Sequence, residues 1–253
     1  MLPIFLKPSI NLNLTRVGSL RDGGYFIPKK IINKIDKIIS LGLGSDWSFE
    51  EKFLEKKNSI KVVFYDHSIN FFFWINLIIQ TLYYSIRYQS SPKNLFKYFN
   101  YITFFNTQNT LHLKLKISYK TDLKKKIISL TEILKKEKKN LLLKIDIEGD
   151  EYKVLNQITK HQKIINCLII EFHKINKNLD KIEKFLKKMK NFKICNISPN
   201  NSFGFDKNND PYVFEIVMIN KRFINKKDYS KKIFLRALPN NPFKKNYKIT
   251  FKK

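Results

Sequence analysis

Apolar residues in this chain gather in short unbroken runs, separated by stretches where they recur every three or four positions. That alternation is expected of buried strands and amphipathic helices. Lys37-Ile38-Ile39-Ser40-Leu41 is the first clear run and ends at Gly42, so it predicts a strand entering a glycine turn. Ser48 is placed to N-cap a helix with Glu50 and Glu51 in its first turn, continuing through Lys57. Ile60 to Tyr65 is β-branched and aromatic and predicts a second strand, ending in Asp66. Further on, the pattern predicts a helix over 127–138 and a strand over 141–147, interrupted by Lys144 and ending with Asp146 and Glu148. A helix over 151–159 and an almost continuous apolar strand over 164–172 follow, closing on Glu171-Phe172-His173. Leu179 to Lys190 carries Ile182, Phe185, Leu186 and Met189 on one helical stripe. Strands alternating with helices predict an α/β fold, a mostly parallel sheet with helices on both faces. The last two runs, 192–197 and 212–219, are joined by a polar stretch with no room for a helix. They predict an antiparallel C-terminal hairpin.

Two segments stand outside this scaffold. From His67 to Thr121 there is no Asp or Glu, and residues 69–105 hold 13 of the 36 aromatic residues. Within it, Phe71 to Tyr84 predicts a helix that is apolar nearly all round, so an aromatic helical insert or cap over about 69–112 is expected directly after the second strand. Residues 221–253 carry 12 basic residues against Asp228 alone, with Ile233-Phe234-Leu235 as an apolar anchor. No repeat or linker divides the chain, which predicts a single domain over 1–220 followed by a basic tail.

Composition changes the picture less than the charge suggests. The chain of 253 residues has 49 basic and 21 acidic residues, a net +28, which would ordinarily point to nucleic acid or an anionic membrane. However, lysine far outnumbers arginine, Asn, Ile and Phe are abundant, and Ala237 is the only alanine, a skew that looks like codon bias spread over the whole chain. Cys167 and Cys195 lie inside apolar runs and predict buried free thiols. The opening residues make a poor signal peptide, and no run reaches the roughly 18 apolar residues of a membrane span. A cytoplasmic protein is expected.

Glycine is scarce, with seven in the chain, so Gly23-Gly24, Gly42-Leu43-Gly44 and Gly149 mark places where a side chain would be strained or obstructive. Strand, glycine turn, helix, strand and acid make one half of a nucleotide-binding βαβ unit, with Gly42 and Gly44 admitting a ligand and Asp66 accepting from ribose hydroxyls. A dinucleotide would want a third glycine where Trp47 stands, and the acid at Asp46 is wrong for a diphosphate. That acid suits a ligand with a cationic end, such as S-adenosyl-L-methionine.

Four blocks then carry a resemblance: Ser40-Leu-Gly-Leu-Gly-Ser-Asp-Trp-Ser-Phe-Glu-Glu51, Phe64-Tyr-Asp66, Leu143-Lys-Ile-Asp-Ile-Glu-Gly-Asp-Glu-Tyr-Lys-Val-Leu155 and Ile170-Glu-Phe-His173. In order and spacing they resemble the FkbM-type class I methyltransferases and a related methyltransferase-like group with a D-W-S-F-E loop. Arg21-Asp-Gly-Gly-Tyr-Phe-Ile-Pro28 resembles the segment preceding that domain. The resemblance spans about residues 16–220 and implies a Rossmann-like sheet and S-adenosylmethionine-dependent methylation, of the oxygen of a sugar or other metabolite hydroxyl. It places Gly42, Gly44, Ser45, Asp46, Asp66 and Asp146 at the cofactor, and makes His173 and Asp146 the candidate bases with Glu171 behind them. Where many members have an acid opening the glycine loop, this chain has Ser40, which puts Asp46 or Glu50 forward for the cofactor's amino end. Carboxylates two apart, as at Asp146 and Glu148, are too common to count as a metal site, and no metal is expected from them. Asn209-Asp210-Pro211-Tyr212 looks like the N/D-P-P-Y motif of amino-methylating enzymes but lacks its second proline and sits in the late hairpin, so it reads as a turn.

The expected partner is a small-molecule or glycan acceptor. The aromatic insert reads as a packed hydrophobic helix, as an acceptor-binding lid, or, with the lysine-rich tail, as a peripheral membrane patch. An RNA-directed methyltransferase or a non-catalytic RNA-binding protein is the alternative, resting on the charge. Against it, the basic residues are dispersed and no RNA-binding signature is present. Nothing in the sequence fixes a homo-oligomeric state.

Overall fold

A computed structural model describes residues 1–88, 92–207, 210–230, 233–247 and 249–252. An N-terminal hairpin of β1 (Leu14–Val17) and β2 (Tyr25–Pro28) leads into β3 (Lys37–Leu41), α1 (Ser48–Lys56) and β4 (Lys61–Tyr65). The insert follows as α2 (Phe71–Tyr88) and α3 (Lys97–Phe105), and ends in β5 (Thr110–Leu113), which pairs parallel with β4. Two short strands, β6 (Lys116–Ser118) and β7 (Ile127–Ser129), pair with each other before α4 (Leu130–Lys135). The second half runs β8 (Leu141–Ile145), α5 (Leu155–Lys160), β9 (Ile165–Phe172), α6 (Leu179–Lys188), β10 (Phe192–Pro199) and β11 (Phe214–Asn220).

These strands build a seven-stranded sheet in the order β10-β11-β9-β8-β3-β4-β5. The chain starts in the middle at β3, travels outward through β4 and β5, then returns to lay β8 on the other side of β3. That reversal of direction opens a crevice at the carboxyl ends of β3 and β8. As the polar connection predicts, β10 and β11 form an antiparallel pair, with β11 inserted beside β9 and antiparallel to it.

Period-two alternation along the central strands divides the core in two. Ile39, Leu41, Leu143, Ile145, Leu168 and Ile170 face α4, α5 and α6. Ile38, Val62, Phe64, Leu142 and Ile169 face α1, the N-terminal hairpin and the buried side of the insert. Cys167 and Cys195 are buried and free, as expected.

Local chemistry moved several boundaries. The helix expected over 127–138 begins only at Leu130, because the β-branched Ile127-Ile128 pair extends onto β6 and Ser129 caps the helix by accepting from the Glu132 amide. The helix expected over 151–159 is a tight turn at Glu151–Lys153 followed by α5. Ser48 is not the cap of α1. The Asp46 carboxylate accepts from the Ser48 amide at 2.8 Å, while the Ser48 hydroxyl ties the helix to the backbone of Ser19 and Gly23. The expected 69–112 insert also hides a scaffold strand, since β5 begins at Thr110. Of the N-D-P-Y segment, Asn209 lies outside the described residues. Asp210 donates its amide to Asp206 in a turn.

The basic C-terminal segment packs back on the domain. Asn196 exchanges two hydrogen bonds with the Arg236 backbone, and Leu2 exchanges two with Thr250 and Lys252. Leu235, Ile249 and Phe251 lie against the core.

Candidate functional site

Gly42 and Gly44 make the turn after β3 by different means. At Gly42 φ is +89°, and a Cβ there would run into the carbonyl oxygen of Asp146, so this glycine lets the turn press against the end of β8. At Gly44 φ is +58° and a Cβ would meet nothing, because the residue borders a cavity of about 500 Å³. That volume lies in the usual range for ligand pockets. Gly42, Gly44, Ser45, Asp46, Asp66 and Asp146, the residues put forward for the cofactor, all line it. His173 and Glu171 do not. They lie behind the wall, 5% and 3% exposed.

Asp66 clamps the glycine turn. One of its oxygens accepts from the amides of Leu43 at 2.8 Å and Gly44 at 3.3 Å. The other accepts from the Ser68 amide at 2.7 Å and hydroxyl at 2.6 Å. Burial would raise its pKa, but these hydrogen bonds outweigh it and hold the carboxyl below its ordinary value. A ligand hydroxyl reaching Asp66 has to take the place of the exposed Ser68 hydroxyl.

Of the two acids offered for a cationic ligand end, Asp46 faces the cavity and Glu50 does not. Glu50 is fully buried, accepts from the Ser40 hydroxyl at 2.6 Å and pairs with Lys144 at 3.3 Å. Burial works against the Lys144 charge, but Glu50 and Asp146 outweigh it and raise the ammonium's pKa. The serine at position 40 thus belongs to a buried polar cluster under the turn.

The second wall is acidic. Burial pushes the Asp146 carboxyl up to about 6, against the lowering influence of Lys144 and His173. Glu171 and Glu215 are register partners on β9 and β11; burial raises Glu171 well above the carboxylate range and Glu215 to about 8. Asn200 donates to Glu171 at 3.0 Å, and Asn240, from the C-terminal segment, donates to Glu215 at 3.2 Å and Asp22 at 3.0 Å. Glu151 is fully buried; one of its oxygens accepts from the amides of Ile147 and Gly149 and lies 3.0 Å from His173 Nδ1. For His173, burial would lower the pKa, but Glu151 and then Asp146 and Glu148 raise it.

Sequence reasoning missed Lys144, Glu215, Asn240 and the structural part of Glu151. A signal existed for two of them, since Lys144 and Glu215 are lone charges inside otherwise apolar runs. Asn240 had none, because nothing in its neighbourhood shows that the segment returns to the crevice.

A sequence profile described as "Methyltransferase FkbM domain" matches residues 28–194. No curated protein sequence matches the chain. Among solved structures, spermidine synthase from Thermotoga maritima superposes with a TM-score of 0.42 at 11% identity, covering 82% of this chain and 64% of that one. A putative rRNA-methylase from Clostridium thermocellum gives 0.41 at 10% identity, covering 76% and 93%. Precorrin-6y C5,15-methyltransferase from Geobacter metallireducens GS-15 gives 0.39 at 9% identity, covering 76% and 87%. This chain therefore spans just under two thirds of the spermidine synthase's length.

Proposed function

The chain belongs to the FkbM methyltransferase domain family, and from that premise we propose that it transfers a methyl group from S-adenosyl-L-methionine to a hydroxyl oxygen of a sugar or another metabolite. The observation that carries the reading is the cavity at the glycine turn, open beside Gly44 and walled by Asp46, Asp66 and Asp146. When bound, that cofactor supplies a methyl group on a cationic sulfur that departs as a neutral thioether. Acidic walls suit its charge. Gly44 and Ser45 would hold it against the turn, Asp66 would take its ribose hydroxyls as Ser68 gives way, and Asp46 would take its amino end.

Asp146, on the cavity wall, would accept the hydroxyl's proton. At about 6, its pKa leaves it largely ionised at neutral pH while making it a better base than an ordinary carboxylate. His173 sits behind Asp146, so its part is to hold the carboxylate's surroundings, with Glu151 holding His173. Most of the rate then comes from keeping the acceptor in line.

The outer surface argues for where the acceptor is carried. Phe71, Phe72, Ile79, Ile86 and Phe99 are more than half exposed on the acid-free insert, and Phe73 from the same helix lines the cavity. Apolar side chains in a region with basic but no acidic residues suit an anionic membrane surface. No helix among the described residues is long and apolar enough to cross a membrane. RNA fits less well, since Asp22, Asp46, Glu148 and Asp150 line the cavity that a polyanion would have to enter.

Transfer of isotopically labelled methyl to a panel of free sugars, glycolipids and RNA tests the reading. Label in a hydroxyl acceptor, falling about 10²–10⁴-fold in Asp146→Asn with cofactor binding retained, is expected. Label in RNA alone would overturn it.

A further inference from the structure

Behind the cavity wall, His173 is 5% exposed, and its Nε2 is a buried atom with no hydrogen-bond partner. Three carboxylates surround that atom: Glu148 Oε2 at 3.5 Å, Glu171 Oε1 at 3.7 Å and Asp146 Oδ1 at 4.0 Å. They come from two strand ends and the loop between β8 and α5. The set with His173 whose ligand-type atoms all lie within 4.8 Å of one another is Asp146, Glu151 and His173, so Glu148 and Glu171 would have to turn inward to reach a shared ion. We propose that a divalent metal ion binds here, between His173 Nε2 and the carboxylates of Asp146, Glu148 and Glu171.

The tautomer is what makes the arrangement a site. Glu151 is fully buried and held by the amides of Ile147 and Gly149, so its oxygen can only accept, and His173 Nδ1 must donate to it. In the neutral ring Nε2 then carries the lone pair, aimed at three oxygens that also carry lone pairs. A cation makes that convergence favourable, whether a proton on Nε2 or a metal ion, and three oxygen donors around one nitrogen are more than a proton needs. A carboxylate holding the far nitrogen of a metal-ligating histidine is the usual outer support of such sites. Phe203 stands edge-on to the imidazole at 5.4 Å, and Tyr152 donates to the His173 carbonyl at 2.6 Å, which ties down the backbone that carries it.

One imidazole nitrogen with three carboxylates is a mixed donor set that suits Mn²⁺, Fe²⁺ or Zn²⁺ better than calcium. Asp146 and Glu148 belong to the cavity wall, so the ion would face the cavity through them. An Asp146 that binds through Oδ1 alone keeps its second oxygen for the acceptor hydroxyl, and the ion's charge would make that hydroxyl more acidic. This consequence rests on the proposed function; the binding itself does not.

Mn²⁺ titration of the full chain, followed by calorimetry and by the loss of the free-ion paramagnetic resonance signal, tests it without turnover. One saturable Mn²⁺ per chain is expected, with affinity falling at least tenfold in His173→Gln and in Glu148→Gln. Glu148 is exposed, so its variant should fold even if the histidine variant does not. Glu132→Gln, at a surface acid on α4 paired with Lys135, should bind as the parent does. Absence of saturable binding, or affinity unchanged in Glu148→Gln, would overturn the site. S-adenosylhomocysteine binding measured on the same samples separates the two readings: its loss with Mn²⁺ binding intact counts against the proposed function alone.

Discussion

Along the carboxyl ends of β8 and β9 and the amino end of β11 the chain buries Lys144, Glu171 and Glu215, with Glu151 and His173 just beyond, each 5% exposed or less. The insert bordering the same cavity does the reverse and leaves Phe71, Phe72, Ile86 and Phe99 more than 60% exposed. Ionisable groups lie inside the strand ends, and oil lies outside the helices. Buried charge persists only where each group has a partner that would be stranded without it, so the strand-end region is stiff, specific and costly to alter. Exposed apolar residues contribute little to folding and become useful only against another surface. The two regions should therefore respond to mutation on different observables, the first in stability and chemistry, the second in association.

Breaking the buried pair should give the largest effect. Lys144→Met leaves Glu50 uncompensated, and losing one partner of such a pair costs about 3–5 kcal/mol. That lowers the melting temperature by about 10 °C, read by thermal unfolding. A loss under about 2 °C would show that the strand ends tolerate an unpaired charge. Next, the insert has a buried side of its own: Trp74, 7% exposed, packs against Tyr98 and Tyr101. Trp74→Ala should cost about 3 kcal/mol, separating the helix's packed side from its open one.

Glu215 sharpens the comparison through pH. Its carboxyl is held up at about 8 in the fold against an ordinary 4.5. Between those values the unfolded chain releases a proton that the folded chain keeps, so this group makes stability fall as pH rises from about 4.5 to 8. Glu215→Gln should flatten that slope, leaving the variant's melting temperature a few degrees above the parent's at pH 8 and nearly equal at pH 5. Smallest in stability are Phe72→Ser and Ile86→Ser, expected within about 0.5 kcal/mol of the parent. Their effect belongs to co-sedimentation with anionic lipid vesicles, which the pair should weaken at least tenfold; unchanged sedimentation would remove the membrane from the account.

The sheet was legible wherever a run of apolar residues met a turn signal. Lys37 to Gly42, Ile60 to Asp66 and the two closing strands needed nothing beyond local pattern, and the glycines located the crevice. What escaped depended on distance. The β1–β2 hairpin is only four residues a side, and β5 is concealed by the aromatic stretch before it. Within the site, residue type and strand position sufficed for Gly42, Gly44, Asp46, Asp66 and Asp146. They could not tell that His173 lies behind the wall rather than in it, or that Glu50 turns inward to Lys144. Both facts are set by which face of a strand or helix each residue occupies at a register the sequence does not state. Asn240 reaches Glu215 from 25 residues away, through a segment with no periodicity at all.

The central claim is that the glycine-turn cavity holds S-adenosylmethionine. Thermal unfolding with S-adenosylhomocysteine tests it most directly, beside Asp66→Asn and with NAD as control. A ligand at 100 times its dissociation constant stabilises by about 2.7 kcal/mol, a rise of several degrees for a chain of this size. The account predicts that rise with S-adenosylhomocysteine, its loss in Asp66→Asn and no response to NAD. A flat melting temperature with S-adenosylhomocysteine, or a rise with NAD, would contradict it.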